Sequence, residues 1–468
     1  MKSVAVLGLG ILLGCAHFTL RSGRSVEPLE HEGEVYVYLE PWPIEGERLG
    51  FTLEEMSAQR ADGALAPFEL TLRDLPGPHP TGQQLLAHGR FAPGSYSDLL
   101  ITVKAAKLEA AEGPASLLLS AEPTPVEVAF AVSARKAVVI ALTFRASTAV
   151  QESFRFTPAF TSSLPARPMP QVAGLCTSPA SNDVFLFDKH TREVVTVVPT
   201  GRGPQGVALS PALNRAYIAL SGEDQLEVLD IASGNLLPRI RLAAGDAPRE
   251  LAVSPDGRTI VVVNRGSNSV TFVDAGSSLE LTRTAVGEEP GALLVDRSFR
   301  RAYVLNERSS TMTAIDLANR SVVGTVRTDI SPLRAQMNRA GTRMYLVHGG
   351  SPYMTVYSLP DLAVVNRVFV GLGVSTLKVD SRTDLIYLAR EGEGRLSVYD
   401  PFAFIPVDYL DVPEAATYMA IDDVDNTLLE AVRAPPAVLV HDLASRRPLS
   451  RIEVGEEPFE VIVAGERL

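Results

Sequence analysis

The sequence predicts an all-β protein: an N-terminal β-sandwich followed by a ring of seven four-stranded sheets. Three observations predict it. Short alternating apolar runs bounded by turn residues fill the chain from about residue 34. From about residue 204 a four-run segment recurs at a nearly fixed spacing. The two ends of the repeating region supply complementary fragments of one further copy.

The chain opens MKSVAVLGLGILLGC. Lys2 gives a positive start and Val4 to Leu13 an apolar stretch too short to span a bilayer, which reads as an export signal. Leu12-Leu13-Gly14-Cys15 resembles the lipobox of bacterial lipoproteins, in which the cysteine is lipidated and becomes the mature N-terminus. The alternative is an ordinary secretory signal with a chance cysteine. The lipobox implies a membrane partner through lipid on Cys15, and Ala16 after it implies the outer membrane of a bacterial envelope, on its periplasmic or surface face. The signal is thus assigned to residues 1–15 and a polar tether to 16–33.

Residues 34–156 hold EVYVYLE, GFTLEEMSA, APFELTL, DLLITVKAA, ASLLLSA, VEVAFAV and AVVIALTFR, with turns such as Ala61-Asp62-Gly63 and Pro93-Gly94. That spacing of short strands indicates a sandwich. This stretch resembles β-sandwich domains of unknown function at the front of bacterial lipoproteins, which implies no activity. His79 and His88 flank a Pro/Gly-rich loop without acidic or cysteine partners at ligand spacing, so no metal site is assigned. Four prolines in 157–171 predict an extended linker outside any sheet.

Residues 172–468 carry the repeat. Pro204, Pro248, Pro290, Pro332, Val374, Ala416 and Pro458 fall at one position, at intervals of 44 and then five times 42 residues. Each copy offers four runs, the third often ending in an acid (QLEVLD, SVTFVD, TMTAID, RLSVYD). A period in the forties with four short strands per copy marks a propeller blade. Before Pro204 stand VAGLC, DVFLFD and VVTVVPTG, three strands without a first; after Pro458 stands FEVIV, a first strand without the rest. Pairing the C-terminal strand with that three-strand segment closes a seven-bladed β-propeller and hides its sheet edges. Pro248 to Asp274, PRELAVSPDGRTIVVVNRGSNSVTFVD, resembles the YVTN-type β-propeller repeat, and the resemblance extends over about 172–468. It implies the fold and leaves function open, since propellers host binding proteins and enzymes alike.

Formal charge is −12, which argues against a nucleic-acid partner. Cys176, in an apolar run and without a partner cysteine if Cys15 is lipidated, reads as a buried inert thiol. The loops on the propeller's mouth face place Arg249, Glu250, Asn264, Arg265, Asn306, Arg308, Arg334, His348, Arg390 and Glu460 among the acids Asp246, Glu288, Glu289, Asp329, Glu414, Glu456 and Glu457. A polar, mostly acidic mouth suits a protein, peptide or glycan ligand. No residue is assigned as catalytic, and no cofactor or metal is expected. Asp422-Asp423-Val424-Asp425-Asn426 lacks the glycine and distal glutamate of a calcium loop and matches the hairpin turn held elsewhere by Asp256-Gly257. The sequence therefore predicts a lipid-anchored, non-catalytic binding platform. The alternative is a periplasmic hydrolase or lactonase acting on a small sugar-acid-like substrate; it resembles propeller lactonases and would use Glu250, Arg334, His348 and Glu460.

Overall fold

The computed structural model describes residues 27–110, 113–152, 154–166, 170–412 and 416–466. The segment expected to be a signal, with Cys15, the start of the expected tether and Glu414 lie outside the described residues.

Seven strands frame the N-terminal part: β1 Gly33–Leu39, β2 Leu49–Arg60, β3 Gln84–Phe91, β4 Gly94–Ala110, β5 Thr124–Val132, β6 Ala137–Phe144 and β7 Phe160–Ser163. One sheet runs β7-β6-β1-β3 and the other β5-β4-β2, with short strands at the margins. All pairs in this frame are antiparallel except β1 with β6. Trp42 stacked on Phe144 at 4.3 Å, with Phe51, Phe91, Tyr96 and Phe130, fills the space between the sheets. Strand β7 lies within the Pro-rich segment expected to stay outside any sheet. Thr161, Ser162 and their neighbours fit a ladder because the prolines stand on either side of them, so no donor is lost where β6 pairs.

Seven four-stranded sheets follow. Blades 2 to 6 begin with Pro204–Ser210, Pro248–Val253, Pro290–Val295, Pro332–Met337 and Val374–Val379, and blade 7 with Tyr418–Asp422. These first strands are innermost, each touching its neighbour's. Blade 1 is completed by Val461–Val463, which pairs antiparallel with Ala173–Ser178. The two ends of the repeating region thus close the ring as the run of fragments predicts. Backbone bonds extend the seam: Thr177 N–H donates to Glu460 O (3.0 Å) and Phe459 N–H to Thr177 O (2.9 Å).

The repeated residues have repeated duties. The acid ending the third strand accepts a backbone N–H from the turn beyond, as Asp274 does from Ser277 (2.7 Å) and Asp316 from Asn319 (2.8 Å). Asn268 Oδ1 accepts Glu289 N–H of the next blade at 2.8 Å, as Asp224 accepts Ala247 N–H at 2.7 Å. Gly257 sits at φ 72° in the SPDG turn, where Ser254 Oγ donates to Asp256 Oδ1. Cys176 is buried, and burial pushes its thiol well above the ordinary range.

The sandwich docks on the propeller through the sheet of β1, β3 and β6, with β1 at its centre. All seven residues of β1 are buried. Val35, Val37 and Leu39 face the sandwich core, while Tyr36 and Tyr38 join Phe185, Phe187 and Val454 of the propeller. Tyr38 Oη donates to Glu453 O (3.0 Å), Leu85 N–H to Glu453 Oε2 (2.7 Å) and Val194 N–H to Gln83 Oε1 (2.9 Å).

Candidate functional site at the channel mouth

In blades 3 to 6 the entry residue of the first strand pairs with the last residue of the second: Pro248 with Asn264, Pro290 with Asn306, Pro332 with His348, Val374 with Arg390. A β-bulge follows, so the next residue has no partner and the one after it turns toward the axis. That axial position holds Gly206, Glu250, Ala292, Arg334, Thr376, Tyr418 and Glu460 in the seven blades.

The axial set is cross-braced. Arg334 Nη1 forms an ion pair with Glu250 Oε1, and its guanidinium lies 4.7 Å from the Tyr418 ring centroid. These three residues belong to blades 5, 3 and 7, so their contacts skip a blade each and must cross the axial space. Ala292 and Thr376, in the blades between, leave room for them. Gly206 does more: a Cβ there would meet Arg249 O at 2.5 Å. Glu250 Oε2 accepts Leu293 N–H at 2.8 Å, and Glu460 Oε2 accepts Val207 N–H at 3.1 Å. Both bonds tie a glutamate to the same backbone position of the following blade.

Electrostatics follow from burial. Burial, then the nearby charge of Glu250, raises the Glu460 carboxyl to about 8, although Arg334 and the Tyr418 hydroxyl oppose this. Burial alone would loosen the Arg334 proton, but Glu250 outweighs it and holds the guanidinium charged. Glu250 and Arg334 therefore stand as an ion pair, with Glu460 a neutral acid at neutral pH.

Nearer the surface, Arg249 packs over the Phe459 ring at 5.2 Å and its Nε donates to Gly291 O at 3.1 Å. Arg265 bridges Glu307 Oε2 and Glu289 Oε2, both at 2.8 Å. Arg265 is about one-third exposed, and Arg308, 3.6 Å from Glu288 and Glu289, is largely so. This is a rim of alternating charges over blades 3 and 4.

Four sequence-predicted residues do not join the site. Asn264 and Asn306 are fully buried, each donating its amide to two hydroxyls of its own blade's third strand: Ser269 and Thr271 (3.0 and 2.7 Å), Thr311 and Thr313 (3.0 Å each). His348, at the equivalent place in blade 5, is also buried, its Nδ1 3.2 Å from Tyr353 O. Burial lowers its basicity. Arg390 pairs with Glu393 at 2.7 Å. All four occupy the end of the second strand, where a side chain closes the hairpin within its own blade instead of facing the axis. The expected acids are largely neutralised: Asp246 by Arg283, Asp329 by Arg367 and Ser351. The sequence reading missed Tyr418, Phe459 and Glu307. Tyr418 and Glu250 fall in one column of the 42-residue frame, so reading down that column finds it.

The family model described as lactonase, 7-bladed beta-propeller matches residues 188–295, less than a quarter of the chain. No curated protein matches. Among solved structures, dihydro-heme d1 dehydrogenase NirN in complex with DHE is similar at TM-score 0.51 and 16% identity, over 64% of this chain and 78% of that one. Kuenenia stuttgartiensis hydrazine synthase gives TM-score 0.48 at 18% identity, over 54% of this chain and 87% of that one. The fold is a seven-bladed β-propeller. At such identities the likeness concerns architecture, and the matched family segment contains Glu250 but neither Arg334 nor Glu460.

Proposed function

We propose that this protein is a non-catalytic binding platform of the bacterial cell envelope, anchored by lipid on Cys15, whose propeller mouth holds a protein or peptide partner. The observation that carries this reading is the closure of the axial set upon itself. Arg334 is occupied by Glu250 and Tyr418, and Glu250 and Glu460 each hold a backbone N–H of the next blade. A hydrolytic site needs a group free to activate water or the substrate carbonyl. The groups left accessible are the rim charges Arg249, Arg265, Glu289, Glu307 and Arg308. Alternating charges on partly exposed side chains favour a partner with a matching pattern, and act on encounter rate and salt dependence more than on affinity.

A second reading, a lactonase, draws support from two observations. The family model matches the first blades, and a carboxyl titrating at about 8 is suited to proton transfer near neutral pH. Two experiments separate them. Cross-linking in intact cells should capture an envelope partner through the mouth, and Arg265→Ala should slow its association and weaken the salt dependence. Turnover of gluconolactone and 6-phosphogluconolactone should stay at the uncatalysed rate. Turnover that vanishes in Glu460→Gln, with the fold intact by circular dichroism, would establish the lactonase instead. In the same cells Cys15→Ala should move the protein from the membrane to the soluble fraction; unchanged fractionation would remove the lipid anchor.

A further inference from the structure

Where the sandwich meets blades 1 and 7 the two domains enclose a cleft of about 640 Å³. Its walls come from β1, β3 and the loop before β3 on one side, and from Ser181, Asp183 and the end of blade 7 on the other. We propose that this cleft is a saccharide-binding site, distinct from the propeller mouth.

The size is that of a small-molecule pocket, and junctions between domains are where such pockets form. Its chemistry narrows the occupant. Arg90 Nε donates to Glu34 Oε1 at 3.1 Å, and Tyr36 Oη reaches both Glu34 Oε2 (3.1 Å) and Asp183 Oδ2 (3.0 Å). Across the cleft, Arg451 Nη2 donates to Pro435 O at 2.6 Å, which fixes its guanidinium along the wall. Cationic donors and carboxyl acceptors are thus interleaved on both walls. A phosphate would meet Glu34, and an amine would meet Arg90 and Arg451, each a like-charge contact that costs affinity. A hydroxyl both donates and accepts, so a polyhydroxylated ligand satisfies either kind of wall at each point. Among the described residues no group of three His, Cys, Asp or Glu side chains is arranged to hold a metal.

The cleft also offers one partly open ring, that of His88. The Tyr36 and His88 rings lie 6.2 Å apart at 33°, with His88 half-buried on the sandwich side. Tyr36, buried and held edge-on by Phe185 at 5.6 Å, backs the His88 ring from within the joint before any ligand arrives. The C–H face of a sugar ring packs on the open part of the His88 ring while its hydroxyls reach the charged walls. Pro78, Pro435 and Pro436 complete a lining that loses little freedom on binding.

Saturation-transfer NMR on the full chain, with chitotriose, cellotriose and maltotriose as probes and tri-alanine as the peptide control, tests the proposal. Transfer to at least one trisaccharide is expected, strongest at ring C–H protons. His88→Ala and Arg451→Ala should each weaken it by about tenfold in Kd, with unchanged melting temperature. Arg265→Ala, at the propeller mouth, should leave it untouched. The proposal falls if no trisaccharide receives transfer, if only tri-alanine does, or if transfer survives both cleft substitutions.

Discussion

At the scale of single residues, Glu460 carries the clearest consequence. Its folded-state proton affinity, about 8, stands above that of an exposed glutamate because burial and Glu250 disfavour the charged form. The unfolded chain releases this proton at about pH 4.3. Between those values the folded state binds the extra proton, so stability declines as pH rises, with a slope approaching 1.4 kcal/mol per pH unit. Below that window the contribution is complete; above about pH 8 it is gone. Glu460→Gln keeps the shape and a hydrogen-bond acceptor for Val207 N–H and cannot ionise. Thermal unfolding from pH 5 to 9 should therefore show a smaller loss of Tm for Glu460→Gln than for the parent, the curves separating at the alkaline end. Parallel curves would mean that Glu460 is already ionised in the folded ring. The same residue shows where sequence reading stops. Its place beside the axis follows from the repeat frame, but its pairing through Tyr418 and Arg334 depends on side chains from other blades that happen to be long enough to meet.

The blade is the scale at which the sequence is most informative. Period, strand order, blade count and the shared first blade can all be read from apolar spacing and turn residues, because each blade buries the same pattern against its neighbours. Four of the residues expected at the mouth lie within their own blades for a related reason. Asn264, Asn306, His348 and Arg390 are polar residues at a strand end next to a loop, and polarity there is equally compatible with facing the channel or with closing the hairpin inward. The register decides, through a bulge that the sequence does not mark. Closure of the ring gives a test at this scale. Lys189, in the turn after blade 1's third strand, pairs with Asp422 of blade 7 at 2.7 Å and donates to Ala464 O at 2.9 Å, both side chains buried. Removing one partner of a buried pair leaves an uncompensated charge, typically at a cost of about 3–5 kcal/mol. Lys189→Met should lower urea-unfolding stability by that order, whereas Asp256→Asn in an exposed turn should change it by less than about 1 kcal/mol. Equal effects would show that the clasp contributes nothing special to closing the ring.

For the whole molecule the decisive element is β1, which belongs to two cores at once. Its run Val35-Tyr36-Val37-Tyr38-Leu39 alternates aliphatic and aromatic residues, which marks a strand buried on both sides. The alternation shows that both faces are covered but cannot say by what, since the partners of Tyr36 and Tyr38 lie more than a hundred residues away in blades 1 and 7. The consequence is thermodynamic coupling: a sandwich that unfolds exposes the propeller surface around Phe185 and Val454, and the propeller loses the bonds at Glu453. Tyr38 is fully buried in this joint. Truncating a buried aromatic side chain costs about 3–5 kcal/mol, and here the loss falls on the contact between domains and not within either core. Calorimetry of the parent should give one transition. Tyr38→Ala should split it, with the sandwich melting first. Tyr38→Phe, which loses only the bond to Glu453 O, should keep a single transition lowered by the equivalent of about 1 kcal/mol. A single, merely shifted transition in Tyr38→Ala would mean that the domains are coupled elsewhere. Gln83, reaching Val194, would then be the next joint to break.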